Sequence, residues 1–383
     1  MEPTPAAPRV HLQSPQTAVP TRAVEPGRTR RIAVAAPPLP AAALQRRTRV
    51  VLYYRADAGE KGASRLWEEA MWTKESLGEA VADHPEMAGR LRRHADGSWE
   101  VKLNDAGVRL VEATAEVTLD EFLEAVQDKD RACSWEAALA PWVDVNAEDP
   151  DVSALVYVQL TRFQGDGGFA VGVSCSLMLS DPLSLARFLA SWARTHARMK
   201  AQNDVATHPL MQYASYFQRP GARAVRALTK SIPLDSFASG DDVHAAETVL
   251  FRARPTNAGA GAPADHHALA VACVAQAKER LGAAGKVPLQ FPIVVFNDSD
   301  GKGGVSVETC AAAYGQPRGG GRAGYKVEVA QWLELGLEEL VLRDSKPLHV
   351  SYSILNGGSD GLAVVMPDGG AAGEFLVAAT VPK

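Results

Sequence analysis

The chain predicts an α/β protein in two parts, each with a mixed β-sheet flanked by helices. Three observations carry that expectation. Apolar, β-branched runs of strand length alternate with longer stretches of helical periodicity through the first half. Hydrophobic residues make up 46% and charged residues 22% of 383, the profile of a folded globular protein. Proline and basic residues collect near Lys200 to Pro233, which marks a crossover between two halves. The expected division is a disordered tail at 1–8, an N-terminal domain at 9–199, the crossover at 200–233 and a shortened C-terminal domain at 234–383.

The first 49 residues are rich in Ala, Pro and Arg and poor in acids, a composition shared with organelle transit peptides. They also carry two strand-like runs, RRIAVA from Arg30 and RTRVVLYY from Arg47, and so are read as folded structure behind a short tail. The basic clusters Arg28, Arg30, Arg31 and Arg46, Arg47, Arg49 read as solvated strand ends. A strand follows over 49–55. Leu66, Met71, Leu77 and Val81 recur at helical spacing and predict a helix over 66–82. DGSWEVKL at 96–103 opens on a turn signal and reads as a hairpin strand, followed by a strand at 108–113. Thr118 and Glu121 form a capping box at the head of a helix over 118–128. Apolar strands at 153–163 and 169–177 are joined by the glycine-rich turn 165–168. An amphipathic helix over 183–199 carries Phe188, Leu189 and Trp192.

The second half reads as a strand at 247–253, a Gly/Ala/Pro loop at 256–263, a helix at 266–281 and a buried strand at 289–296. A glycine-rich loop at 315–324 precedes strands at 326–329, 348–353, 362–366 and 374–381.

Bulk chemistry excludes several classes. A net charge of −5 argues against a nucleic-acid binder. No run of 18 uncharged apolar residues offers a transmembrane span. The cysteines, Cys133, Cys175, Cys273 and Cys310, are far apart and read as reduced thiols, not as a zinc site. The histidines offer no metal site: His266 and His267 are adjacent and point about 100° apart on a helix. His84 reads as a loop residue before Pro85, and His349 as a half-buried strand residue. GGGRAG at 319–324 fits G-x-G-x-x-G formally, but no strand precedes it, and neither a phosphate loop nor a G-x-S-x-G elbow occurs.

Several segments share the order and spacing of one family. Lys74-Glu75-Ser76-Leu77 is followed by Pro85-Glu86-Met87-Ala88-Gly89-Arg90-Leu91. Asn104-Asp105-Ala106-Gly107-Val108 leads to Val111-Glu112-Ala113. Gln159-Leu160-Thr161-Arg162-Phe163 precedes FAVGVSCSLMLSD at 169–181, and SLARFLASWA begins at Ser184. Over roughly residues 45 to 200 the chain resembles the BAHD acyl-CoA-dependent acyltransferases of plants. The resemblance implies a two-domain chloramphenicol-acetyltransferase-like fold. In the second half it is weaker: Lys346-Pro347 follows Val341-Leu342-Arg343-Asp344-Ser345, where the family carries Asp-Phe-Gly-Trp-Gly. The chain is also short for the family, with sequence missing after Val287.

The family places a catalytic His four residues before an Asp, in His-x-x-x-Asp-Gly. Here the Asp is Asp181, Leu177 holds the His position and Pro182 the Gly position. The family histidine takes a proton from an acceptor hydroxyl or amine that attacks an acyl-CoA thioester. Such general-base help is typically worth about 10² to 10⁴ in rate. Leucine cannot supply it, so the resemblance implies no catalytic residue here. Asp181 is retained in a structural role, and the channel candidates are Ser174, Ser176, Leu177 and Asp181. By strand alternation Ser174 and Ser176 share one face and Cys175 takes the other; nothing in sequence activates Cys175 as a nucleophile.

The segment is most similar to the eceriferum-26-like, glossy branch of the family. That likeness implies a non-catalytic protein assisting a ketoacyl-CoA synthase in elongating very-long-chain fatty acids for cuticular wax. Acyl-CoA is then the possible ligand, with no cofactor, metal or nucleic acid. The expected state is a monomer apart from that partner, in the cytoplasm at the surface of the endoplasmic reticulum, with the nucleus as a second place. Two alternatives stay open: an acyl-CoA-dependent acyltransferase to an alcohol or amine working without the histidine, and a decayed, marginally folded family member.

Overall fold

A computed structural model describes residues 7–13, 15–55, 63–165, 167–202, 230–237, 246–256, 265–282, 290–297, 304–311, 325–357, 361–368 and 373–382. Most of the expected tail, crossover and 256–263 loop lie outside these residues, as does the 315–324 loop with its G-x-G-x-x-G match.

The chain begins with β1 (Arg9–Leu12), β2 (Gln16–Ala18) and β3 (Thr29–Val34), then α1 (Ala41–Gln45) and β4 (Arg47–Arg55). The long helix α2 (Ala63–Asp83) leads to the hairpin β5 (Arg90–Arg93) and β6 (Trp99–Lys102), then β7 (Val108–Ala115). Helices α3 (Leu119–Ala125) and α4 (Lys129–Leu139) precede β8 (Val156–Arg162), β9 (Gly168–Ser176) and the helix α5 (Pro182–Gln202). The second half holds β10 (Lys230–Pro233), β11 (Ala246–Pro255), α6 (His266–Leu281), β12 (Gln290–Asn297) and β13 (Gly304–Ala311). It closes with β14 (Tyr325–Ala330), β15 (His349–Leu355), β16 (Leu362–Pro367) and β17 (Phe375–Pro382). Every helix and strand expected from periodicity is present within a few residues. The capping box of α3 forms as expected, with Glu121 N donating to Thr118 Oγ1 at 3.2 Å and Thr118 N donating to Glu121 at 2.8 Å. The short strands β1, β2, β5 and β10, the eight-residue β13 and the helices α1 and α4 were not read from sequence.

Two mixed sheets form. One runs β10-β1-β7-β8-β9-β4-β15 with β2 beside β7; the other runs β14-β11-β17-β16-β12-β13-β3-β6-β5. Most pairs are antiparallel; β7 with β8, β12 with β16 and β13 with β3 are parallel. The sheets exchange strands: β3, β5 and β6 of the first half lie in the second sheet, and β15 of the second half pairs with β4 in the first. The main core lies between the sheets. There Leu77 and Val81 of α2 and Leu185, Phe188 and Trp192 of α5 meet Val173 and Leu177 from one sheet and Val294 and Val364 from the other. The outer face of the first sheet packs on α3 and α4 through Tyr53, Phe122 and Trp135. The outer face of the second packs on α6 through Leu269, Cys273 and Val274. The layers are therefore helix, sheet, helix-filled core, sheet, helix.

The reading of the second basic cluster is overturned. Arg46, Arg47 and Arg49 are not solvated strand ends: they are 6%, 4% and 3% exposed. β4 is an interior strand, covered on both edges by β9 and β15. Arg47 lies over the Trp142 ring at 5.3 Å, and Arg46 Nε donates to the Asn356 carbonyl at 3.3 Å. Arg90 explains two of the quoted motifs. Buried at 3% exposure, it donates to the carbonyls of Gly89, Ala106 and Gly107 at 2.9, 3.1 and 3.0 Å. The Ala-Gly-Arg-Leu and Asn-Asp-Ala-Gly-Val segments are thus tied into one corner. Gly107 sits there at φ 77°, and a Cβ would lie 2.6 Å from the Ala18 carbonyl oxygen.

Candidate functional site

The turn between β9 and α5 sets the site. Every residue of β9 is buried, and its faces divide as alternation requires. Phe169, Val171, Val173 and Cys175 enter the core between the sheets. Ser174 turns to α4 and donates from Oγ to the Ala140 carbonyl at 3.0 Å. At the strand end, the Ser176 hydroxyl accepts from Met178 N at 3.1 Å, and its carbonyl accepts from Leu179 N and Ser180 N at 3.0 and 3.1 Å. Leu177 N donates to the Arg46 carbonyl at 2.9 Å. The Leu177 side chain is 0% exposed and belongs to the main core.

Asp181 closes the turn and opens the helix. Its Oδ1 accepts from Ser184 N at 2.8 Å and its Oδ2 from Ser184 Oγ at 2.6 Å, the N-cap geometry that satisfies free amides of the first turn. Pro182 is the first helical residue, where its missing N–H costs nothing. That is why proline is tolerated at this position of the motif. Arg30, from β3, braces the same turn: its Nη2 donates to the carbonyls of Met178 and Leu179.

Beside this turn lies a cleft of about 480 Å³ between the turn with the start of α5 and strands β3, β12, β13 and β16 of the second sheet. Arg28, Arg30 and Arg187 bring positive charge to it, and Glu86 and Asp181 negative charge. Leu103, Leu179 and Phe296 give it apolar wall. Of the four channel candidates the cleft holds Asp181 alone; Ser174, Ser176 and Leu177 lie in the packed interior beside it. Burial raises the Glu86 carboxyl, but its hydrogen bond to His84 outweighs this together with a backbone hydrogen bond and the charges of His84 and Arg30. The net effect is a lowered pKa and a weaker base. His84 Nδ1 is 3.4 Å from Glu86 Oε1, and its ring meets Phe188 edge-on. Burial pushes the Cys175 thiol far up, away from thiolate reactivity.

Arg30, Glu86 and Arg187 were not picked out from sequence as cleft residues. Arg30 stood in a basic cluster that reads as surface, and only the pairing of β3 with β13 and β6 carries it inward. His267 pairs with Glu308 at 2.5 Å on the far side of the second sheet. His349, read from sequence as half-buried, is instead exposed and stacks on Tyr53 at 5.7 Å. Among the described residues no three His, Cys, Asp or Glu are grouped to hold a metal, and no helix is long and apolar enough to cross a membrane.

Residues 64–253 match the Transferase family. The chain is 37% identical over 143 residues to agmatine hydroxycinnamoyltransferase 1 of Oryza sativa subsp. japonica, covering 37% of this chain and 28% of that protein. It is 33% identical over 141 residues to protein ECERIFERUM 26-like of Arabidopsis thaliana, covering 36% and 31%. The chain thus spans under a third of the length of these relatives. Vinorine synthase gives a TM-score of 0.46 at 14% identity, over 98% of this chain and 95% of that structure.

Proposed function

The chain is a relative of the BAHD acyltransferases, and from that premise we propose that it is a non-catalytic one that assists a ketoacyl-CoA synthase in very-long-chain fatty acid elongation. One observation carries the reading. Where the family's proton acceptor would stand, Leu177 is an aliphatic side chain sealed in the core. The neighbouring carboxylates do not replace it. Asp181 has both oxygens engaged by Ser184, and Glu86 is held as a weak base. What remains is a folded cleft with cationic and apolar walls, which suits binding an acyl compound more than transferring its acyl group. The likeness to an ECERIFERUM 26-like protein supports a role in the wax branch. In this role acyl-CoA is handled by the synthase, the partner that holds the protein at the endoplasmic reticulum.

Co-expression with a ketoacyl-CoA synthase tests this. Products longer than those of the synthase alone are expected; an identical chain-length profile would overturn the role. A second reading is acyl transfer from a CoA thioester to an amine, favoured by the likeness to agmatine hydroxycinnamoyltransferase 1. Turnover of an acyl-CoA with agmatine by the purified protein would establish it. The arginines of the cleft count against it, because agmatine is itself a cation.

A further inference from the structure

We propose that the cleft is a carboxylate-binding site centred on Arg30, for an acid anion with an apolar body such as a medium-chain fatty acid. This rests on the reading that the cleft binds without catalysing. Arg30 is the unusual group. Its Nη2 is used on two backbone carbonyls of the turn, while its Nε is closed off from solvent and has no hydrogen-bond partner among the described residues. Among the described residues no carboxylate lies within ion-pair distance of it; Glu86 and Asp181 act on it only through space. Desolvation is the largest influence on this guanidinium and lowers its pKa, so its charge is incompletely compensated. A carboxylate brought to the cleft face of the guanidinium supplies the missing counter-charge.

The lining fixes the ligand class. Arg28, Arg30 and Arg187 oppose Glu86 and Asp181, which leaves one positive charge, matched to a monoanion and not to a chain of phosphates. Leu103, Leu179 and Phe296 provide apolar contact for the rest of the molecule. A volume of about 480 Å³ admits a small amphipathic acid.

Calorimetry on the purified full chain with octanoate, 1-octanol and CoA as probes tests the site. Octanoate is expected to bind roughly tenfold to a hundredfold more tightly than octanol, the range of a charge-assisted hydrogen bond. R30Q should abolish that preference. Because Arg30 also braces the turn, R187Q is the second variant: Arg187 is exposed and, among the described residues, donates only to the Asp368 carbonyl, at 2.9 Å. It should weaken octanoate several-fold and leave octanol and the melting temperature unchanged. Equal binding of octanoate and octanol, or octanoate binding untouched in both variants, would overturn the proposal. So would CoA that competes with octanoate and binds more tightly, since the site would then be one for phosphates. An unaltered elongation profile with octanoate still bound would remove the assistance role and leave this site standing.

Discussion

Asp181 and Ser184 form a closed pair: one carboxylate oxygen takes the Ser184 amide at 2.8 Å and the other its hydroxyl at 2.6 Å. The carboxylate is 5% exposed, so these contacts hold a buried charge at the head of α5, where the helix dipole favours it.

Asp181→Ala removes the cap and leaves the half-buried Ser184 amide without its acceptor. A loss of about 1–2 kcal/mol is expected from urea unfolding. Asp181→Asn, which keeps an accepting oxygen, should lose clearly less. Equal losses in the two variants would mean that the charge, not the cap, is what matters.

Leu177→His would set an imidazole with two polar nitrogens into packed apolar surroundings. The expected cost is about 2–4 kcal/mol, seen as a lower melting temperature, with no acyl-CoA turnover gained. A variant as stable as the parent that turns over acyl-CoA would show that the site is open to substrate after all.

Gly172→Ala should be among the worst single changes in the first sheet. A Cβ at Gly172 would lie 1.9 Å from the Leu139 carbonyl oxygen, because the end of α4 presses directly on β9. Forcing them apart is expected to cost about 3 kcal/mol or more, measured by denaturant unfolding or seen as insoluble protein.

His196 makes stability depend on pH. It is 5% exposed and lies 3.0 Å from the Ser76 hydroxyl, which also accepts from Trp192 Nε1 at 3.0 Å. Burial, then the charges of Lys200 and Arg343, lower its pKa from 6.5 to about 4. The unfolded chain therefore takes up a proton before the folded one does. Stability from this group is full above pH 6.5 and is lost as pH falls toward 4, by roughly 3 kcal/mol in all. His196→Gln should flatten that slope in unfolding free energies measured from pH 7 to 4; an unchanged slope would place the effect elsewhere.

By itself the sequence determined the local structure. Helical and strand periods placed α2, α5, α6 and the long strands, and Thr118 with Glu121 placed the start of α3, because those signals are written in neighbouring residues. It also determined the chemical fact on which the proposed function turns, the leucine at position 177. Alternation along β9 correctly set Ser174 and Cys175 on opposite faces. Tertiary structure alone decided what surrounds that leucine. The exchange of β3, β5, β6 and β15 between sheets depends on pairings across hundreds of residues, which no local pattern encodes. That exchange draws Arg30 inward against the turn and makes β4 an interior strand, so Arg47 and Arg49 are buried where their basic character suggested solvent. Burial is a property of what packs over a residue, and the atoms that cover these arginines lie far away in the chain.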